Sequence, residues 1–142
     1  MAVQTRADNY TQTSRQQELY SDFLNDLNPH PQARDIVRYV NENAVKRAIR
    51  NLIMTNPGER LFQPDFGGGI NTFLFEPMDG ITATNIQQQI WQTITNHEPR
   101  CKLISVDVTP RTDIDAYVVS VQFMVINNQA VQQTTITLYR VR

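Results

Sequence analysis

Apolar residues change their spacing once along this chain, and the change falls at Ile94-Thr95-Asn96-His97-Glu98-Pro99-Arg100. Before it they recur at the three- and four-residue intervals of an amphipathic helix. After it they alternate as in a strand with two unlike faces. Pro99 has no N–H to donate and restricts the residue before it, so the helix ends near His97 or Glu98. Helices followed by strands imply an α+β fold, with Glu98 and Arg100, opposite charges, at a forced change of direction.

Upstream of that corner, Val45, Ala48, Ile49, Leu52 and Ile53 form one stripe, with Lys46, Arg47 and Arg50 off it. This predicts a helix over 42–54, with Asn41 as N-cap and Glu42 favoured by the dipole in the first turn. Asn56-Pro57-Gly58 stops it. A second main helix starts at Thr82 or Thr84 and reaches about His97. Ile86, Ile90, Trp91 and Ile94 are its stripe, and Gln87, Gln88, Gln89 and Gln92 cover much of the rest. Between the helices, Leu61 and Phe62 predict a brief strand and Asn71–Phe75 a short helix. Gly67-Gly68-Gly69 lacks the lysine and hydroxyl of a phosphate loop and reads as a tight turn.

Downstream, strands are expected over Cys101–Thr109, with Lys102, Ile104, Val106 and Val108 on one side, and over Tyr117–Ile126. A turn at Asn127-Asn128-Gln129-Ala130 returns the chain antiparallel as Val131–Val141. That last strand is long, has no proline, and carries little charge before Arg140. It reads as an unprotected edge open to strand addition, with Val131, Gln133, Thr135, Thr137, Tyr139 and Val141 as interface candidates. The competing reading is an ordinary hairpin strand covered inside the domain. Both faces of 117–126 are apolar, which implies burial by helices on one side and by something else on the other. The expected architecture is two main helices packed on a small, mostly antiparallel sheet. Its expected core is Val45, Ile49, Leu52, Leu61, Phe62, Phe73, Ile86, Ile90, Ile94, Val106, Val119, Val121, Phe123 and Ile136.

Residues 1–33 read as an N-terminal arm and Pro-rich link before a single domain over 34–142. Leu19, Phe23, Leu24 and Leu27 fit either one short helical face or an extended arm with a few anchors. With 13 basic and 14 acidic residues the net charge is −1, which gives the chain as a whole no electrostatic reason to seek nucleic acid or anionic lipid. No stretch resembles a signal peptide or a membrane span. One cysteine excludes an internal disulfide or thiolate cluster, and His30 and His97 are too few for a histidine metal site. No metal or cofactor is expected. Cys101 begins a strand and reads as a small hydrophobe. Glu98 and Arg100, if buried, need partners in each other or in a neighbouring chain. If exposed, they form a surface ion pair worth about 0–1 kcal/mol.

Several of these features occur in an order that resembles the lysozyme-like baseplate wedge family of contractile phage tails. They are Leu19-Tyr20-Ser21-Asp22-Phe23, the helix ending near Met54, Arg60-Leu61-Phe62-Gln63-Pro64-Asp65-Phe66-Gly67, and Leu74-Phe75-Glu76-Pro77-Met78. The helix through Ile94, Glu98-Pro99-Arg100, and Val106 to Val108 with two long strands complete the set. The resemblance spans about residues 19–142. It implies a non-enzymatic virion subunit of the contractile tail baseplate, assembled in the host cytoplasm. It implies that Glu98, Pro99 and Arg100 meet the paired helices of the large wedge subunits. It also implies that a sheet edge starts sheath polymerisation on the first sheath ring, with other wedge proteins and tube or hub proteins nearby. On that reading Arg100→Ala leaves the fold largely intact. The alternatives are a tail-associated muramidase using Glu98 with Asp65 or Glu76, and a small regulatory adaptor.

Overall fold

A computed structural model of the chain describes residues 18–23, 29, 35–126 and 128–140. The expectations for residues 1–17, Leu24, Leu27, His30 and Val141 lie outside the described residues. Two short strands, β1 (Ser21–Phe23) and β2 (Arg38–Val40), precede helix α1 (Glu42–Met54). A short 3-10 helix (Ile70–Phe75) leads to helix α2 (Gly80–His97) and the strands β3 (Cys101–Arg111), β4 (Ala116–Val125) and β5 (Asn128–Tyr139). The α+β class and the two main helices are as expected.

Val45, Ile49, Leu52 and Ile53 of the α1 stripe are buried as their spacing requires, whereas Ala48 is half-buried and Ala44 is inside instead. Asn41 holds the N-cap position as expected, its carbonyl accepting from the Val45 N–H at 3.1 Å, but its side chain does not do the capping. Its backbone sits at φ 50° and its side chain makes no cap hydrogen bond. Instead Asn41 Oδ1 accepts from the Leu19 N–H at 3.0 Å, and the Asn41 N–H donates to the Tyr20 carbonyl at 2.8 Å. The residue expected to start the helix therefore also hooks the N-terminal segment onto it. That segment is extended at Ser21–Phe23 and pairs antiparallel with β2.

Helix α2 begins at Gly80, slightly earlier than expected, because the Asp79 carboxylate accepts from the Thr82 N–H at 2.8 Å. Ile86, Ile90 and Ile94 are fully buried, whereas Trp91 lies toward solvent. The helix and the strands share one core with Val45, Ile49, Leu52, Val106, Val119, Val121, Phe123 and Ile136. Phe73 packs only at its margin; Ile70 and Leu74 enter instead.

Two expected core residues are wrong. Leu61 is 86% exposed and Phe62 99%. The backbone explains this: the segment is a loop closed by the Gly58 N–H donating to the Pro64 carbonyl at 2.8 Å, and Phe62 has φ 70°. A loop held at both ends carries its tip outward, so no brief strand forms. Phe66, four residues on, is the aromatic that packs against the core. The glycine run has the packing reason its entropy cost demands. Gly67 has φ 126°, and a Cβ there would lie 2.5 Å from the Thr55 carbonyl oxygen.

The sheet order is β3-β4-β5, antiparallel throughout. An irregularity between Leu103 and Ser105 shifts the register of β3. Ile104 falls at this bulge and is exposed, so the expected single face of Lys102, Ile104, Val106 and Val108 does not exist. Cys101 and Leu103 pack inward before the bulge, and Val106 and Val108 after it. Pro110 lies within β3 rather than ending it, which an edge strand tolerates. On β4, Tyr117, Val119, Val121, Phe123 and Val125 are buried beneath the helices. The opposite face, including Val118 and Met124, is half-buried.

The Glu98–Arg100 corner and the outer sheet edge

Helix α2 ends where Pro99 requires, with the Glu98 N–H donating to the Ile94 carbonyl at 2.9 Å. The next residues turn directly into β3, and the Ile126 N–H donates to the Arg100 carbonyl at 3.1 Å. Glu98 and Arg100 are thus fixed by the helix end on one side and the sheet on the other. Their side chains meet as a two-pronged pair: Arg100 Nε to Glu98 Oε1 and Nη2 to Oε2, both 2.6 Å. Glu98 is only 5% exposed, while about a third of the Arg100 side chain reaches solvent. The hydrogen bond to Glu98 holds the guanidinium even more firmly charged, opposed by burial and aided by the charges of Glu98 and Asp22.

The pair borders a cleft of about 540 Å³. Asp22 from β1, Arg60 and Phe66 from the loop and His97 from α2 line it with the corner. The Arg60 guanidinium lies 4.1 Å from the Phe66 ring centre, His97 meets Phe66 edge-on at 5.4 Å, and Arg100 lies 5.6 Å from the Tyr20 ring centre. Sequence order alone did not bring Tyr20, Arg60 and Phe66 to the corner. The available signal was the shared clustering of Arg and aromatic residues, which alternation does not detect.

The arrangement gives little room for carboxylate chemistry. Both Glu98 oxygens are engaged by Arg100, and Asp65 is exposed and absent from the cleft walls. Glu76 sits at the start of α2, where it accepts from the Thr82 hydroxyl. With 18 residues in α2, about 27 Å of helix separates Glu76 from Glu98, against the roughly 5–9.5 Å that paired glycosidase carboxyls need. Cys101, half-buried at the foot of the corner, has its thiol pushed up from 9.0 to about 11, chiefly by burial and then by the Glu98 charge. Among the described residues no cluster of His, Cys, Asp and Glu could hold a metal ion, and no helix is long and apolar enough to cross a membrane.

Among the described residues, the candidate strand β5 has β4 on one side and no strand on the other. Ile136 and Leu138 point into the core, so Val131, Gln133, Thr135, Thr137 and Tyr139 share the outer face. Val131, Gln133, Thr135 and Tyr139 are exposed and Thr137 half-buried. The expected hairpin from β4 forms, with β5 starting at Asn128 rather than Val131, and among the described residues β5 is an edge strand of the sheet.

The family model for baseplate wedge protein gp25 matches residues 40–130. The baseplate wedge protein gp25 of Enterobacteria phage T4 is 33% identical over 95 residues, 67% of this chain and 72% of that one. Among solved structures, a protein from Geobacter sulfurreducens described as a tail lysozyme superposes with a TM-score of 0.65 at 25% identity, covering 69% of this chain and 89% of its own. A component of the anti-feeding prophage baseplate gives 0.59 at 24% identity, covering 87% and 86%. The family match runs from the end of β2 through both helices, the charged corner, β3 and β4, and stops at the start of β5. The chain belongs to the baseplate wedge protein gp25 family, as a structural subunit of a contractile tail baseplate.

Proposed function

We propose that this subunit joins the large wedge proteins through its charged corner and starts sheath polymerisation by offering β5 to the first sheath ring. The observation that carries the second part is that, among the described residues, no strand pairs with the outer side of β5 over Val131–Tyr139, a stretch without proline. Unpaired N–H and C=O groups along such a strand are satisfied by an added strand. Support for the first part is the corner itself. Glu98 and Pro99 fix the turn, and the part of Arg100 left in solvent faces the cleft, open to the paired helices of a large wedge subunit. Other wedge proteins and tube or hub proteins are further neighbours on this reading, with assembly in the host cytoplasm and residues 1–33 as an arm before the 34–142 domain.

Arg100→Ala is a poor test of this, because it leaves the Glu98 carboxylate buried without its cation. The combined Glu98→Gln/Arg100→Ala variant removes both charges. It is expected to fold by circular dichroism yet fail to co-purify with the wedge proteins; normal co-purification overturns the corner assignment. Deleting β5 would strip Ile136 and Leu138 from the core, so proline at Gln133 and, separately, at Thr134 is the cleaner probe. Of two neighbouring residues one has its N–H directed away from β4, and proline there blocks addition without breaking the hairpin. The variant that folds normally is expected not to nucleate sheath. Normal sheath growth on it refutes strand addition.

A further inference from the structure

Helix α1 lies over β5 on the inner side of the sheet, and between them runs a groove of about 520 Å³. Lys46, Arg47 and Arg50 of α1 line it with Tyr39 and Thr134, and no carboxylate does. Among the described residues none of the three cations forms an ion pair. Arg47 is the most committed of them: its guanidinium lies 5.4 Å from the Tyr39 ring centre, and its Nε is buried without a hydrogen-bond acceptor. A buried donor left unmatched beside two further cations is costly in isolation and is matched by an incoming acceptor.

The position of the groove says what brings that acceptor. Thr134 belongs to the inward row of β5, opposite Val121 of β4. A strand added to the outer side of β5 over Val131–Tyr139 lies about 4.8 Å further out, with its own inward side chains on the same side as Thr134. Those side chains project over Lys46, Arg47 and Arg50. We infer that the strand received by β5 is acidic at its inward positions, its carboxylates seated in the α1 groove while its backbone extends the sheet. The inference rests on strand addition at β5 and specifies the chemistry of the incoming segment. Backbone pairing alone accepts almost any extended chain, so the groove supplies the selectivity and a charge-steered approach.

Two labelled peptides test it, one alternating Thr with Glu and one alternating Thr with Gln, with binding to the full chain followed by fluorescence anisotropy at low salt. The Glu peptide is expected to bind about 10-fold more tightly, with the preference falling to near unity in Lys46→Ala/Arg50→Ala. Both peptides are expected to lose binding in the well-folded proline variant of β5. Equal binding of the two peptides to the unaltered chain overturns the acidic-strand inference and leaves strand addition standing. A Glu preference that survives the proline variant refutes the link to β5, as an anion then docks without the sheet. Failure of both peptides to bind refutes the inference. Self-association that disappears in Lys46→Ala/Arg50→Ala would assign the groove to a second copy and overturn it too.

Discussion

The corner and the α1 groove both bring arginine beside an aromatic ring, yet they treat charge in opposite ways. At the corner, Glu98 and Arg100 neutralise each other through two 2.6 Å hydrogen bonds, and Glu98 is withdrawn from solvent. In the groove, Lys46, Arg47 and Arg50 gather with no carboxylate in the lining. The contrast separates charges that hold a fold from charges available to a partner. Removing half of a closed pair leaves an uncompensated buried group. Removing an open cation costs the isolated protein almost nothing.

The largest expected effect concerns the thiol beneath the corner. A rise from 9.0 to about 11 leaves Cys101 with about 100-fold less thiolate than an ordinary cysteine at neutral pH, and iodoacetamide should alkylate it correspondingly slowly. The sign of the linked stability follows. Because the folded value is raised, the contribution is complete below pH 9.0 and is lost as pH rises through about 11. Ordinary thiol reactivity in the native protein would show that the corner is open rather than closed.

Glu98→Ala is next. It leaves Arg100 without its counter-charge, and urea denaturation should show a loss of about 2 kcal/mol, below the 3–5 of a fully buried pair because Arg100 remains partly hydrated. An unchanged midpoint would place the pair with ordinary surface ion pairs. Tyr117 supplies a smaller effect. Its hydroxyl, like Arg47 Nε, is buried without a partner, but it lies in the core where no docking segment reaches. Tyr117→Phe should therefore be neutral or stabilising by up to about 1 kcal/mol. The smallest change is expected from Lys46→Ala/Arg50→Ala, within about 0.5 kcal/mol of the parent in the same assay. A large loss there would show that the groove cations already serve the fold and would erase the contrast.

Both helices, the strand hairpin and most of the core were legible because each follows a simple repeat. Ile86, Ile90 and Ile94 recur at the helical period, and Tyr117, Val119, Val121 and Phe123 alternate. The bulge at Ile104 was not legible, since one unpaired residue inverts every later assignment on that strand and leaves no mark in composition. Leu61 and Phe62 misled for a related reason. Their hydrophobicity argues for burial, but the hydrogen bond that closes the loop at Gly58 and Pro64 decides otherwise.

Local chemistry dictated where this chain must turn and which stripes it must hide, because proline geometry and hydrophobic period act between near neighbours. Pro99 ends a helix, and charges of opposite sign flank it, in any fold. Whether those charges would close on each other, and which cations would stay open beside β5, depended on segments far apart in the chain. Glu98 lies where α2 meets β3, in a cleft whose other walls come from β1 and the loop carrying Arg60 and Phe66. Lys46, Arg47 and Arg50 form a groove only because α1 crosses β5, an encounter that packing creates and no local pattern encodes.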